Sequence, residues 1–228
     1  MHLGIDTAAD SASLALLRGD EVIAQRAWCG ERTMSRELLA QLDALLAEAG
    51  VSRQQIAAIA VIAGPGQYGP LRTGLATAQG LSLALDVPLA GVGRLEADAL
   101  PHLAPGRTVV AVHDAGRAGV AWAAYVPGTD GLRCVAEPRI TTVEEAAQQA
   151  PSEALWCGEL TDALRAARDA VRDSGRRSGD TDAEALPGGR AVAAVRLARM
   201  QHAYGDPALV DALYLRSPSI TRAKPRPA

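Results

Sequence analysis

Val109-Val110-Ala111-Val112-His113-Asp114 is an apolar run that ends on a carboxylate, and it repeats in kind the run His2-Leu3-Gly4-Ile5-Asp6-Thr7 at the start of the chain. The segments beyond the two runs are also alike. After the first come an alternating segment, Ser11 to Leu17, a Gly19-Asp20 turn and a further strand, Glu21 to Trp28. After the second come Val120 to Val126 and Leu132 to Ile140, with turn residues at Pro127-Gly128 and Asp130-Gly131. Each triplet of strands leads into a helical period. Leu38, Leu39, Leu42, Leu45, Leu46 and Ala49 form one broad apolar stripe from Met34 onward, and Thr142 with Glu145 caps a helix through Gln149. A buried strand and a second helix complete each unit: Ala57 to Ile62 then Leu71 to Leu85, and Leu155 to Cys157 then Glu159 to Arg172. Element order alone therefore predicts a duplicated α/β fold, each lobe a mixed sheet flanked by helices.

The same order sets the expected boundaries. One lobe spans 1–105 and a smaller one 106–190, while a helix over 191–204 packs back on the first. Asp173 to Gly189 reads as a flexible excursion, and the Ser-Pro and Arg-Pro tail of 216–228 as disordered. With 228 residues, 48% of them hydrophobic and 21% charged, the chain has the composition of a folded soluble domain. Twenty-three basic against 26 acidic residues give a net charge of −3, which excludes a dedicated nucleic-acid-binding module. Three scattered cysteines make neither a disulfide framework nor a zinc cage, and the four histidines have no metal-ligand spacing. No apolar stretch is long enough to span a membrane, so a reducing, cytoplasmic setting is expected.

Three features carry candidate chemistry. Gly64-Pro65-Gly66-Gln67-Tyr68-Gly69 lies between a strand and a helix, with Pro70 placed for the first helical position. It fits the dinucleotide fingerprint in letters, but a meander and a helix precede it where that fold needs a parallel strand-helix-strand unit; a tight turn and a family-specific loop are the other readings. Asp6 and Asp114, each at a strand end, could position a metal-bound phosphate between the lobes or could form turns. The helix after the glycine loop presents Thr73, Ala76, Thr77, Gly80 and Ala84 at helical spacing, a small-residue face suited to close packing on its own sheet or on a partner helix.

Ile5-Asp6-Thr7-Ala8, Ser35-Arg36-Glu37-Leu38-Leu39, and Gly64-Pro65-Gly66 followed by Leu71-Arg72-Thr73-Gly74 together resemble the bacterial TsaB (YeaZ) family. The likeness is dense over the first hundred residues and thin beyond them. Gln67, Gly69 and Pro70 depart from the family's Ser, Thr and Gly, Met34 stands where His is usual, and Gly116 and Gly119 stand for Arg and Glu. The resemblance implies an actin-like, Hsp70-like fold of two ribonuclease-H-like lobes. It also implies a non-catalytic role in forming N6-threonylcarbamoyladenosine at position 37 of tRNA, with a TsaD-type paralogue as catalyst and a TsaE-type ATPase as a further partner. tRNA would be met only through that complex, and the isolated chain could homodimerise. On this reading Ser35, Leu38, Leu42, Leu45, Leu71, Arg72, Thr73, Ala76, Thr77 and Gly80 form the partner interface. Asp6, Thr7, Gly64, Pro65, Gly66 and Asp114 form a degenerate nucleotide site. No catalytic residue, metal or cofactor is required of this chain, although ATP or ADP could sit at the complex interface. The runner-up is a small ATP-dependent sugar kinase or phosphatase that uses Asp6 and Asp114.

Overall fold

The computed structural model describes residues 1–29, 34–173, 182–183 and 189–215. The first lobe opens with β1 (His2–Asp6), β2 (Ser11–Arg18) and β3 (Glu21–Cys29), an antiparallel meander. After α1 (Met34–Ala49) come β4 (Ala58–Gly64), α2 (Tyr68–Leu85), β5 (Leu89–Gly93) and α3 (Arg94–Ala99). β4 pairs parallel with β1 and β5 parallel with β4, which gives the strand order β3-β2-β1-β4-β5. The second lobe has β6 (Val109–Asp114), β7 (Val120–Gly128), β8 (Gly131–Thr141), α4 (Val143–Gln149), β9 (Leu155–Gly158), α5 (Asp162–Asp173) and β10 (Asp182–Ala183). Its order, β10-β9-β6-β7-β8, repeats that of the first lobe. The fold is thus two ribonuclease-H-like lobes.

β4 is buried at every residue and β1 at all but its first, because helices cover both faces of the sheet. Leu38, Leu42, Leu45 and Leu46 of α1, with Leu71, Leu75 and Ala78 of α2, join the same core as Ala191 to Ala198 of α6 (Gly189–Met200). α6 approaches β1 backbone to backbone: a Cβ at Gly4 would lie 2.1 Å from the Ala191 carbonyl oxygen. In the second lobe one face of the sheet packs Trp122 and Trp156 against Ala146 and Leu164. The other face, with Val109, Ala111, Ala123 and Tyr125, closes on Leu95 and Ala99 of α3 and so joins the lobes.

Four sequence readings shift. α2 begins at Tyr68, not Leu71, so Pro70 is its third residue; the first four amides of a helix have no intrahelical acceptor, and a missing N–H is tolerated there. α5 begins at Asp162, which leaves Glu159 in the loop before it, and α6 ends at Met200. β5, α3 and β10 went unread. The tail 216–228 and, within 173–189, residues 174–181 and 184–188 lie outside the described residues. Beyond α6 the chain returns along the first lobe: Gly205 pairs with Leu89, the Leu213 amide donates to the Ala63 carbonyl at 2.7 Å, and Gln79 donates to the Val210 carbonyl at 2.8 Å.

The glycines of α2 differ in their surroundings, so Ala substitutions at them should act in opposite directions. A Cβ at Gly74 would sit 2.1 Å from Oγ1 of Thr7, a buried β-branched side chain that donates to the Pro70 carbonyl at 2.8 Å. A Cβ at Gly80 meets open space. Gly74→Ala should destabilise the protein by about 1–3 kcal/mol as overpacking, and Gly80→Ala should stabilise it by about 0.5–1 kcal/mol. Urea unfolding of the two variants checks both signs.

Candidate functional site

Where the carboxyl ends of β1 and β6 meet, the lobes are joined by a buried ion cluster. Asp6 closes β1 with its carboxylate accepting from the Ala8 amide at 2.9 Å, and its other oxygen lies 3.5 Å from Arg190 of α6. Arg190 Nε donates to Asp98 of α3 at 2.6 Å. Arg94, at the start of α3 and wholly buried, places Nε 3.6 Å from the other Asp98 oxygen. Its remaining nitrogens cross to the second lobe, one pairing with Glu159 and the other lying 2.8 Å from Nδ1 of His113. Glu159 Oε2 is 2.7 Å from the same Nδ1 and accepts from the Asp114 amide at 3.0 Å. The carboxylate decides the tautomer: a proton on Nδ1 satisfies Glu159, and the guanidinium can reach the Ala8 carbonyl at 3.4 Å instead.

Three carboxylates face two guanidinium groups and one imidazole, so each acid of the cluster has a partner. Burial pushes the Asp6 carboxyl up, with the Arg190 charge opposing it. Burial also acts to raise Glu159, but the hydrogen bond from His113 and the charge of Arg94 outweigh it and hold that carboxyl far below the usual carboxylate range. Burial works against the Arg190 charge as well, and there Asp98 and Asp6 prevail and hold its pKa above the ordinary value.

The residues expected to form a nucleotide site are otherwise engaged. Asp6 faces the arginines. Asp114 is exposed and accepts from the Gly116 amide at 2.8 Å, the local bond of a turn. Thr7 ties β1 to α2. Gly64 and Pro65 are joined by a cis peptide, and Gly64 takes φ +119° with the Leu213 carbonyl so near that a Cβ would lie 2.7 Å from it. The amide of Gln67, a natural phosphate donor, donates to the Ala8 carbonyl at 3.0 Å, and the Gln67 side chain donates to Asp10 at 2.6 Å. A cleft of about 380 Å³ opens between the lobes here, and Asp10, Asp114 and Glu159 make its lining acidic. The dinucleotide reading of the loop fails on this geometry, since a pyrophosphate needs free amides and positive potential. Among the described residues no group of three or more His, Cys, Asp or Glu is placed to hold a metal ion. No helix among them is long and apolar enough to cross a membrane.

The expected partner face divides. Leu38, Leu42, Leu45 and Leu71 are at most 2% exposed, so they are core and offer a partner nothing. The inner part of the α1 stripe is taken up by the first lobe's own core. Arg72, Ala76 and Gly80 are exposed and Thr73 and Thr77 half-buried, so the small-residue face of α2 does point outward; Ser35 is the second residue of α1, with its side chain outside the described residues. Sequence reasoning missed Tyr68 (53% exposed), Leu39 (53%) and Leu83 (72%), apolar side chains left on the outer faces of α1 and α2. Tyr68 stacks on Tyr214 with ring centroids 5.9 Å apart, and the Arg72 guanidinium lies 5.1 Å over the Tyr68 ring.

The family model for tRNA N6-adenosine threonylcarbamoyltransferase (TsaD) matches residues 29–169. The chain is 32% identical over 164 residues to the tRNA threonylcarbamoyladenosine biosynthesis protein TsaB of Escherichia coli, covering 68% of this chain and 70% of that one. It is 38% identical over 113 residues to the tRNA N6-adenosine threonylcarbamoyltransferase of Nitratidesulfovibrio vulgaris, covering 43% and 31%. The solved structure of YeaZ from Pseudomonas aeruginosa superposes with a TM-score of 0.75 over 94% of this chain and 99% of that one at 22% identity, a likeness of fold.

Glu159 sets a sign for acid stability. A carboxyl whose pKa is depressed by folding stabilises the native state above its unfolded pKa, about 4.3, and that contribution is lost as the pH falls below it. Asp6, raised by burial, has the opposite sign and contributes most in acid. Glu159→Gln should therefore flatten the acid limb of the stability curve, read as urea midpoints from neutral pH to about pH 3. An unchanged limb would show that Glu159 is not the ionised member of the cluster.

Proposed function

We propose, for a chain that belongs to the TsaB (YeaZ) family of tRNA threonylcarbamoyladenosine biosynthesis proteins, that it is the non-catalytic subunit that binds and activates a TsaD-type transferase. The observation that carries this reading is the outer face of α2. Arg72, Ala76 and Gly80 let a second helix approach closely along the middle, while Tyr68 and Leu83 supply apolar side chains at the two ends and Leu39 is a further exposed apolar side chain on α1. Small residues for approach with an aromatic, an arginine and a leucine for burial are what a helix-on-helix interface uses.

The cleft supports the same reading from the other side. The residues present do not fit a nucleotide's phosphates: the carboxylate at the end of β1 is paired with Arg190, the loop amide of Gln67 already has an acceptor, and the lining is acidic. The sugar-kinase or phosphatase alternative, which needs Asp6 and Asp114 free to hold metal and phosphate, loses its acids to the ion cluster and to a turn. Any ATP or ADP of the complex then belongs to its other subunits or to an interface. A net charge of −3 supports tRNA contact through the assembled complex, with a TsaE-type ATPase as a further member and a homodimer on the same α2 face when the partner is absent.

Enlarging the face tests the proposal. Ala76→Trp and Gly80→Leu should each weaken binding of the purified TsaD-type partner by about 1–3 kcal/mol in calorimetry. The isolated chain should stay folded, since both positions face outward. Unchanged affinity in a folded variant would move the interface elsewhere.

A further inference from the structure

A second, smaller cavity of about 170 Å³ lies at the lobe junction. Its apolar walls come from four separate elements: Pro65 of the glycine loop, Leu95 of α3, Pro138 of β8 and Leu213 of the returning carboxyl segment. Its polar groups are Glu96, Tyr125, Cys134 and Glu137. We propose that this cavity, where Glu96, Glu137 and the Tyr125 hydroxyl converge, is a binding site for a small primary alkylammonium ligand.

Two independent observations lead there. Tyr125 is 1% exposed, its ring packed in the cluster that joins the lobes, yet no hydrogen bond of its hydroxyl is found among the described residues. The ring is packed away and the hydroxyl is left facing the cavity, free to pair with what enters it. The second observation is a contrast between acids. Asp6, Asp98 and Glu159, the other carboxylates enclosed at this junction, are each answered by a guanidinium. Glu96 is answered by none: its one hydrogen bond is from the Gly93 amide at 3.3 Å, and neither it nor Glu137 has an ion pair among the described residues. Burial pushes the Glu96 carboxyl up, with the nearby Glu137 charge adding to it, the signature of an acid that lacks a cation.

The chemistry of the cation is set by the walls. The acids and the thiol here do not form a group disposed to hold a metal ion, and a metal would leave the apolar walls unmatched. An ammonium group offers three donors, which Glu96, Glu137 and the Tyr125 oxygen can accept, while a short alkyl chain fills the space against Leu95, Pro65, Pro138 and Leu213. At about 30 Å³ per water molecule, the volume holds roughly five non-hydrogen atoms, the size of n-butylammonium.

The test is calorimetric titration of the full chain with n-butylammonium chloride and with n-butanol, which has the same length without the charge. Saturable binding of the amine, about tenfold or more tighter than the alcohol, is expected. Glu96→Gln, which keeps an acceptor for the Gly93 amide, should weaken the amine at least about fivefold and leave the alcohol unchanged. Tyr125→Phe should weaken it too, and Glu137→Gln, at an exposed position, serves if Glu96→Gln fails to fold. Equal affinity for amine and alcohol overturns the proposal, as does no saturation by about 50 mM or wild-type affinity in a folded Glu96→Gln or Glu137→Gln variant.

Discussion

The fold turns on Arg94. Its side chain leaves the start of α3, is wholly buried, and meets Asp98 in its own lobe and His113 and Glu159 in the other. A guanidinium cannot give up its charge, so its desolvation has to be offset by anions and acceptors fixed around it. Asp98 and Glu159 supply the charge, the Ala8 carbonyl adds an acceptor, and Arg190 completes the set by serving Asp98 and Asp6 together. Such a cluster contributes little net stability compared with a packed apolar core, but any arrangement of the lobes that separated its members would leave charges buried alone. Its role is to select one arrangement.

That selection has a consequence for chemistry. The ends of β1 and β6 are the equivalent points of two duplicated lobes, and a ligand held between lobes would be gripped there. In this chain the first carboxylate is turned inward to an arginine and the second closes its own turn. The cleft that remains is lined by acids with no free guanidinium among its lining residues. A cluster of this kind holds the lobes together with no ligand needed between them.

Much of the architecture was legible because it rests on period and order. The strand triplets, the helices and the duplication all come from alternation, capping residues and turn dipeptides. β5 was not legible, since Leu89-Ala90-Gly91-Val92-Gly93 has two glycines and no alternation; it is a strand because β4 offers it a parallel edge. The apolar stripe of α1 was read correctly as a stripe, but six apolar positions over four turns do not say which edge faces the sheet. Leu39 is outside, while Leu38 and Leu42 are in. The ion cluster was invisible for a different reason. Arg190 and Asp98 are 92 residues apart, arginine is common throughout the chain, and nothing in spacing distinguishes a buried guanidinium from a solvated one. A weak signal existed in His113 beside Asp114 at a strand end and in Glu159 directly after Gly158, both polar residues where the neighbouring strands are apolar.

The returning carboxyl segment joins features that sequence order keeps apart. Leu213 donates its amide to Ala63 at the end of β4, closes over Gly64 and walls the small cavity. The next residue, Tyr214, stacks on Tyr68 at the amino end of α2. Gln79 in the middle of α2 holds the same segment through the Val210 carbonyl. The glycine loop therefore has its shape set from two sides, by Ala8 of the first hairpin against Gly66 and Gln67 and by Leu213 against Gly64. With no room for a side chain at either glycine, the loop fixes where α2 begins, and so where Tyr68 and Arg72 stand on the outer face. A departure from the family pattern at Gln67, Gly69 and Pro70 leaves both contacts in place: the Gln67 side chain reaches Asp10, a Cβ at Gly69 would meet nothing, and Pro70 sits in the first turn where no amide is needed.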